Sequence, residues 1–130
     1  MNMTGQAPGS LAGLKVLVVE DEVAISLLLE DMLLDLGCEV VGPAGRLSAA
    51  LKHAEADAID LALLDVNLAG EPIYPVAEVL ARRGIPFVFS TGYGSAGIQD
   101  GFRDRPVVQK PFAQNDLEAK LRLAVAPASA

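Results

Sequence analysis

What this chain of 130 residues has little of already narrows its possible work. Lysine and arginine together number 10 against 17 aspartates and glutamates, a formal net charge of −7, and the bases are scattered. A nucleic-acid surface needs clustered Lys and Arg to hold phosphates, so this balance argues against direct nucleic-acid binding. A single cysteine, Cys38, excludes an internal disulfide and reads as a small packed residue rather than a redox centre. The one histidine, His53, has no Cys or second His at ligand spacing and reads as a surface residue between Lys52 and Glu55. No apolar run approaches a membrane span, and the N-terminus lacks the charged-then-apolar pattern of a signal peptide. The expectation is a soluble, cytoplasmic protein without a membrane partner.

A length of 130 residues with 52% hydrophobic content suffices for one domain with a proper core and is too short for two. Residues 1–13 are small, polar and without periodicity, and are expected to be a disordered segment. Residues 127–130 read as a tail. The folded domain is expected over residues 14–126, which leaves no room for a separate output domain.

Within it, Leu14-Lys-Val-Leu-Val-Val19 is a β-branched run stopped by Glu20-Asp21-Glu22. Apolar residues then recur at Ile25, Leu28, Leu29, Met32 and Leu36, the spacing of a helix whose inward stripe they define, and Gly37 ends it. Residues 39–41 form a second strand, Gly42-Pro43 turns the chain, and a helix covers residues 46–56. The continuous apolar segment Leu61-Ala-Leu-Leu64 marks a strand buried on both faces, ending at Asp65 and Asn67. A third helix lies near residues 75–83, a fourth strand at 85–89, a glycine-rich loop at 90–97 and a brief fifth strand at 106–108. The last helix runs from about Gln114 to Ala124, with Leu117 and Leu121 facing inward. Five strands alternating with helices imply right-handed crossovers and a doubly wound α/β fold: a five-stranded parallel sheet with helices on both faces.

In such sheets ligands bind at the carboxyl ends of the strands, where this sequence has Glu20, Asp21, Asp65, Thr91 and Lys110. Clustered carboxylates repel one another, and a hard divalent cation with oxygen ligands relieves that, magnesium being the usual choice. The backbone carbonyl of Asn67 is a further candidate ligand. An aspartate serves as nucleophile in phosphoryl transfer where a metal and a cation neutralise the phosphoryl oxygens, which casts Asp65 as acceptor and Lys110 as the cation. The hydroxyl of Thr91 is placed to bond the new group and couple it to the loop. Singly, each residue has a plainer use. Asp21 suits a helix N-cap, Glu22 complements the helix dipole, Asp65 and Thr91 suit turns, and Lys110 is a surface lysine. It is their joint arrival at the ends of four strands that favours the functional reading.

Val-Leu-Val-Val-Glu20-Asp21-Glu22, Leu-Leu-Asp65-Val-Asn-Leu, Ser-Thr91-Gly and Gln-Lys110-Pro-Phe112 together resemble the receiver domain of two-component response regulators. The resemblance covers the whole folded chain and implies a flavodoxin-like strand order, 2-1-3-4-5. It also implies Glu20 and Asp21 as the acidic metal pair for Mg2+, Asp65 as phosphoacceptor, Thr91 as switch hydroxyl, Lys110 as phosphate contact and a cis Lys110-Pro111 bond. Two departures stand out. Receivers usually carry an aromatic switch three positions before the lysine, where this chain has Val107. The stretch from Gly92 to Gly101 is so rich in glycine that the fourth helix is expected to be short or disordered. Phe89-Ser-Thr-Gly-Tyr93 resembles the motif of an atypical group of stand-alone receivers, commonly paired with histidine kinases of the HWE or related families. Tyr93 is either the replacement for the missing aromatic or a loop tyrosine packed on the surface.

The resemblance implies a single-domain response regulator that accepts phosphoryl from a histidine kinase and then acts on a downstream protein or drains phosphate from a shared kinase. A phosphorylation-independent adaptor is the alternative. A true phosphatase would need a second catalytic acid and a capping segment, so no enzyme activity beyond self-phosphorylation and self-dephosphorylation is expected. Val23, Leu27 and Leu34 lie off the inward stripe of the first helix. They serve either kinase docking and self-association, with a homodimer through the first or last helix, or a wide core face covered by the last helix.

Overall fold

Alternation along the central strands divides the core in two. Val16, Val18, Leu61, Leu63 and Val88 belong to one buried cluster; their neighbours Leu17, Val19, Ala62, Leu64, Phe87 and Phe89 belong to the other. Side chains that alternate across a strand and are apolar on both sides need a covering layer on each face, and the helices supply it. In a computed structural model of the protein, which describes residues 11–92 and 98–126, the elements run β1 (Lys15–Val19), α1 (Val23–Asp35), β2 (Glu39–Ala44), α2 (Leu47–Ala56) and β3 (Leu61–Asp65). A small hairpin, β4 (Asn67–Leu68) and β5 (Glu71–Pro72), precedes α3 (Tyr74–Arg82), β6 (Phe87–Thr91), β7 (Val107–Gln109) and α4 (Gln114–Val125). α1 and α4 cover one face, with Leu29, Met32, Leu33, Leu117 and Leu121 buried there; α2 and α3 cover the other with Ala50, Ala54, Val76, Ala77 and Leu80.

The sheet order is β2-β1-β3-β6-β7, all parallel. Discounting the hairpin, this is the expected order 2-1-3-4-5. Between β6 and β7 the described residues contain a single 3-10 turn, Asp100–Phe102, and no α-helix, in keeping with the glycine content of that stretch.

Four expectations need correction. Leu11 is 1% exposed and belongs to the core, its carbonyl accepting from Cys38 Sγ and Gly13 N–H donating to Gly37. Order therefore begins before Leu14, at least three residues earlier. β2 does not stop at Val41: it continues through Gly42-Pro43 to Ala44, and the register slips by one residue as a bulge between Leu17↔Val41 and Val19↔Ala44. An edge strand can spare the N–H that Pro43 lacks, and Gly42, at φ +92°, provides the bend. In α1 the buried line is Ser26, Leu29, Met32 and Leu33, whereas Leu28 is 43% exposed. A helix so apolar around its circumference gives the pattern no fixed phase. Finally, Val23, Leu27 and Leu34 are 74%, 57% and 60% exposed, so α4 does not cover them.

Candidate functional site

β1, β3, β6 and β7 deliver their ends side by side. Glu20 follows the last residue of β1 and Asp65 closes β3; both are buried. Thr91 closes β6, also buried, and its carbonyl accepts from Lys110 N–H at 2.9 Å, just past the end of β7. Carboxylate oxygens of Glu20, Asp21 and Asp65 lie within 4.8 Å of one another. A cleft of about 610 Å³ opens above them, lined by Asp21, Asp65, Asn67, Gly70, Thr91 and Lys110 among others. Glu20, Asp21, Asp65, Asn67, Thr91 and Lys110 thus arrive at one place.

The electrostatics are tight. Lys110 Nζ stands 2.9 Å from Glu20 Oε1 as an ion pair and donates to Asp65 Oδ2 at 3.3 Å. Glu20 Oε1 is buried and, although close to the ammonium, not aligned for a hydrogen bond. Asp65 Oδ1 accepts from Asn67 N–H at 3.2 Å, and Glu20 Oε2 from Glu22 N–H at 3.1 Å. Burial and the neighbouring charge of Glu20 push the Asp65 carboxyl up to about 7, although Lys110 and the Asn67 N–H pull it down. For Lys110, burial lowers the pKa, but the close contact with Glu20 and the charges of Asp65 and Glu20 outweigh it, so the ammonium ends above its ordinary value. Three acids with one lysine leave an excess of negative charge in a cleft that offers hard oxygen ligands. The donor set fits a divalent cation such as magnesium, and the misaligned Glu20 oxygen is the kind of atom such an ion would satisfy.

The plain structural uses are settled in part. The N-cap of α1 is Glu22, without a side-chain capping bond, so Asp21 is not spent on that role. Asp65 does make the Asx-type bond to Asn67, and this leaves its other oxygen facing Lys110.

A family model described as "Response regulator receiver domain" matches residues 16–122. The chain belongs to that family. Among relatives, it is 33% identical over 129 residues to the transcriptional regulatory protein PdtaR of Mycobacterium tuberculosis, an alignment covering 95% of this chain and 63% of PdtaR. The chain therefore spans less than two thirds of that curated relative. The solution structure of SdrG from Sphingomonas melonis Fr1 is similar at 45% identity and TM-score 0.77, covering 89% of this chain and 98% of SdrG. The BeF3-activated conformation of SdrG from Pseudomonas melonis Fr1 is similar at 46% identity and TM-score 0.73, covering 88% and 98%. Receiver domains typically bind Mg2+ at an acidic cluster and interact with histidine kinases, and the acidic cluster of this receiver lies where its strands end.

The Lys110-Pro111 bond is cis, as the resemblance implied. Tyr93 and the following residues to 97 lie outside the described residues, so the tyrosine of the Phe-Ser-Thr-Gly-Tyr run is not among them. Sequence reasoning missed two contributors. Glu22 Oε1 reaches to 4.0 Å from Lys110 Nζ, adding a fourth acid to the rim. The β4–β5 hairpin walls the cleft with Ala69 and Gly70, both at positive φ, 51° and 86°. Two consecutive positive φ values are what a two-residue hairpin loop of the I′ type demands. Gly70 was its signal; an alanine in the other position hid it.

Proposed function

We propose that this receiver accepts a phosphoryl group on Asp65 from the phosphohistidine of a histidine kinase and signals by it. What supports the reading most is one convergence: a buried nucleophilic carboxylate, two further acids with oxygens within 4.8 Å, and an ammonium at 3.3 Å. Glu20, Asp21 and Asp65, with the backbone carbonyl of Asn67, would hold Mg2+. Bound there, the ion supplies charge neutralisation on the phosphoryl oxygens.

The chain's own residues then divide the work. A deprotonated Asp65 oxygen attacks phosphorus, the bond from phosphorus to the kinase imidazole nitrogen breaks, and its electron pair leaves with the imidazole; the product is an acyl phosphate. Lys110 exchanges its ion pair with Glu20 and its bond to Asp65 for a phosphoryl oxygen. Thr91 donates its hydroxyl to another, which ties the end of β6 to the modification. No enzymatic turnover is required beyond self-phosphorylation from small donors and self-dephosphorylation.

The likeness to SdrG, 98% of which is matched, supports a regulator of similar build. Together with the Phe89-to-Tyr93 run it supports the subgroup paired with kinases of the HWE or related types. The output is contact with a downstream protein, or drainage of phosphate from a shared kinase. The test is intact mass after incubation with Mg2+ and a small phosphodonor, with Asp65→Asn as control. A gain of one phosphoryl group in the parent alone is expected. An unmodified parent would overturn the proposal and favour a phosphorylation-independent adaptor; equal modification of both proteins would remove Asp65 as the acceptor.

A further inference from the structure

Val107 stands beside Phe89 in the register of β6 and β7 and contributes no ring of its own. Besides Phe87 of the same strand, 5.4 Å away, the rings around Phe89 come from two other elements. Tyr74, the first residue of α3, and Phe102, the last of the 3-10 turn, stack on each other with centroids 5.7 Å apart and planes 13° from parallel. Both meet Phe89 edge-on at 6.1 Å. The Tyr74 hydroxyl also accepts a hydrogen bond from Gln99 N–H at 2.9 Å. Tyr74 is therefore fastened at two points to the segment that returns from the Thr91 side of the cleft.

Its other attachment leads to Asp65. Val66, the next residue after the acid, donates its N–H to Ser90 and accepts at its carbonyl from Ile73 N–H, each at 3.1 Å. Ser90 precedes Thr91, and Ile73 precedes Tyr74. One residue beside the acid is thus bonded both to the strand bearing the switch hydroxyl and to the residue that sets the first turn of α3.

We propose that Tyr74 relays the loading state of Asp65 to the surface formed by residues 98–102, taking the place of a ring at Val107. The inference rests on the phosphoacceptor reading. Tyr74 is a positioning residue: it touches no reacting atom. Its stack is only half-buried and its hydroxyl bond is exposed. Such contacts can re-form in a second arrangement at small cost, unlike the fully buried Phe87 and Phe89 beneath them.

The experiment uses amide spectra of the full chain titrated with beryllofluoride in the presence of Mg2+, for the parent, Tyr74→Phe and Tyr74→Leu. In the parent, the Val66 and Asn67 amides report loading, and those of Gln99 and Phe102 shift in step. Tyr74→Phe keeps the ring and loses the hydroxyl; the Gln99 shift is expected to fall by at least half while Phe102 still responds. Tyr74→Leu is expected to lose both responses with loading at Val66 and Asn67 unchanged. Packing alone would lower the thermal midpoint of the variants without removing these shifts. Parent-like shifts of Gln99 and Phe102 in both variants would overturn the relay, as would silence of those amides in a loaded parent. Silence at Val66 and Asn67 in the parent would overturn the phosphoacceptor reading itself, and the relay with it.

Discussion

Lys110 Nζ lies 2.9 Å from Glu20 Oε1, closer than to Asp65, so the lysine lies within the acid cluster and partly offsets its charge. Removing one partner from a buried charge cluster leaves the others uncompensated. Lys110→Ala is expected to keep the fold but lose about 2 kcal/mol at about pH 8 without metal, less than a full buried-pair loss because Asp65 can take up a proton. Millimolar Mg2+ should restore more stability to this variant than to the parent. Urea unfolding with and without Mg2+ checks it; equal stabilisation of the two proteins would contradict this account.

The position of Asp65 gives a pH dependence with a definite sign. Its folded-state pKa, about 7, lies above its ordinary value of 3.8, so the folded chain holds this proton more tightly than the unfolded one. The associated stability is fully present below the unfolded value and is lost as pH rises through about 7. Without metal, Asp65→Asn should therefore be more stable than the parent at about pH 8, by a few kcal/mol at most, and nearly equal to it at about pH 4. A gain of the same size at both pH values would show that charge burial is not its cause.

Metal binding must displace that same proton. Mg2+ affinity should fall by up to about tenfold for each pH unit below 7 and level off above it. Calorimetric titration in buffers of differing ionisation enthalpy would also detect the released proton. An affinity flat from about pH 5.5 to pH 8 would remove Asp65 from the ligand set.

Ala69 occupies a left-handed conformation that costs an alanine about 1 kcal/mol. Asparagine tolerates it better, so Ala69→Asn should stabilise the protein by about 0.5 kcal/mol, read as a higher urea midpoint at unchanged slope. The reverse applies in β2. A Cβ on Gly42 would sit 3.0 Å from Ala44 N and 3.3 Å from the Val18 carbonyl, at positive φ, so Gly42→Ala should cost more than 1 kcal/mol.

Leu27 is 57% exposed, and Leu27→Glu should leave stability within about 0.5 kcal/mol of the parent. If the apolar side of α1 receives the kinase or a second copy, the same change slows phosphotransfer or reduces solution mass. Unchanged values of both would dismiss an interface role for this face.

Much of this molecule was legible because its strands are apolar on both faces and end abruptly in acids, a threonine and a lysine. Glu20, Asp65, Thr91 and Lys110 each sit one residue or less from a strand end, so finding the strands located the site. Failures arose where local pattern carries little information. The orientation of α1 was misread because leucines nearly encircle it, and only the sheet beneath decides that Leu33 and not Leu28 is buried. The hairpin was invisible because its strands are two residues long and its turn uses an alanine where glycine or asparagine is expected. Gly42-Pro43 reads as a turn in isolation; pairing with β1 makes it a bulge within an edge strand.

That bulge has a bearing on how copies of the chain meet. β2 is one margin of the sheet and β7 the other, and β7 is three residues long. At the β2 margin Pro43 has no N–H to offer, and the extra residue breaks the even spacing of donors and acceptors that an incoming strand would need. Neither margin is a good template for templated stacking into fibrils or for lengthening the sheet across two molecules. Side-chain contact on the helix-covered faces, which can come apart again, is the route this leaves open to a second copy.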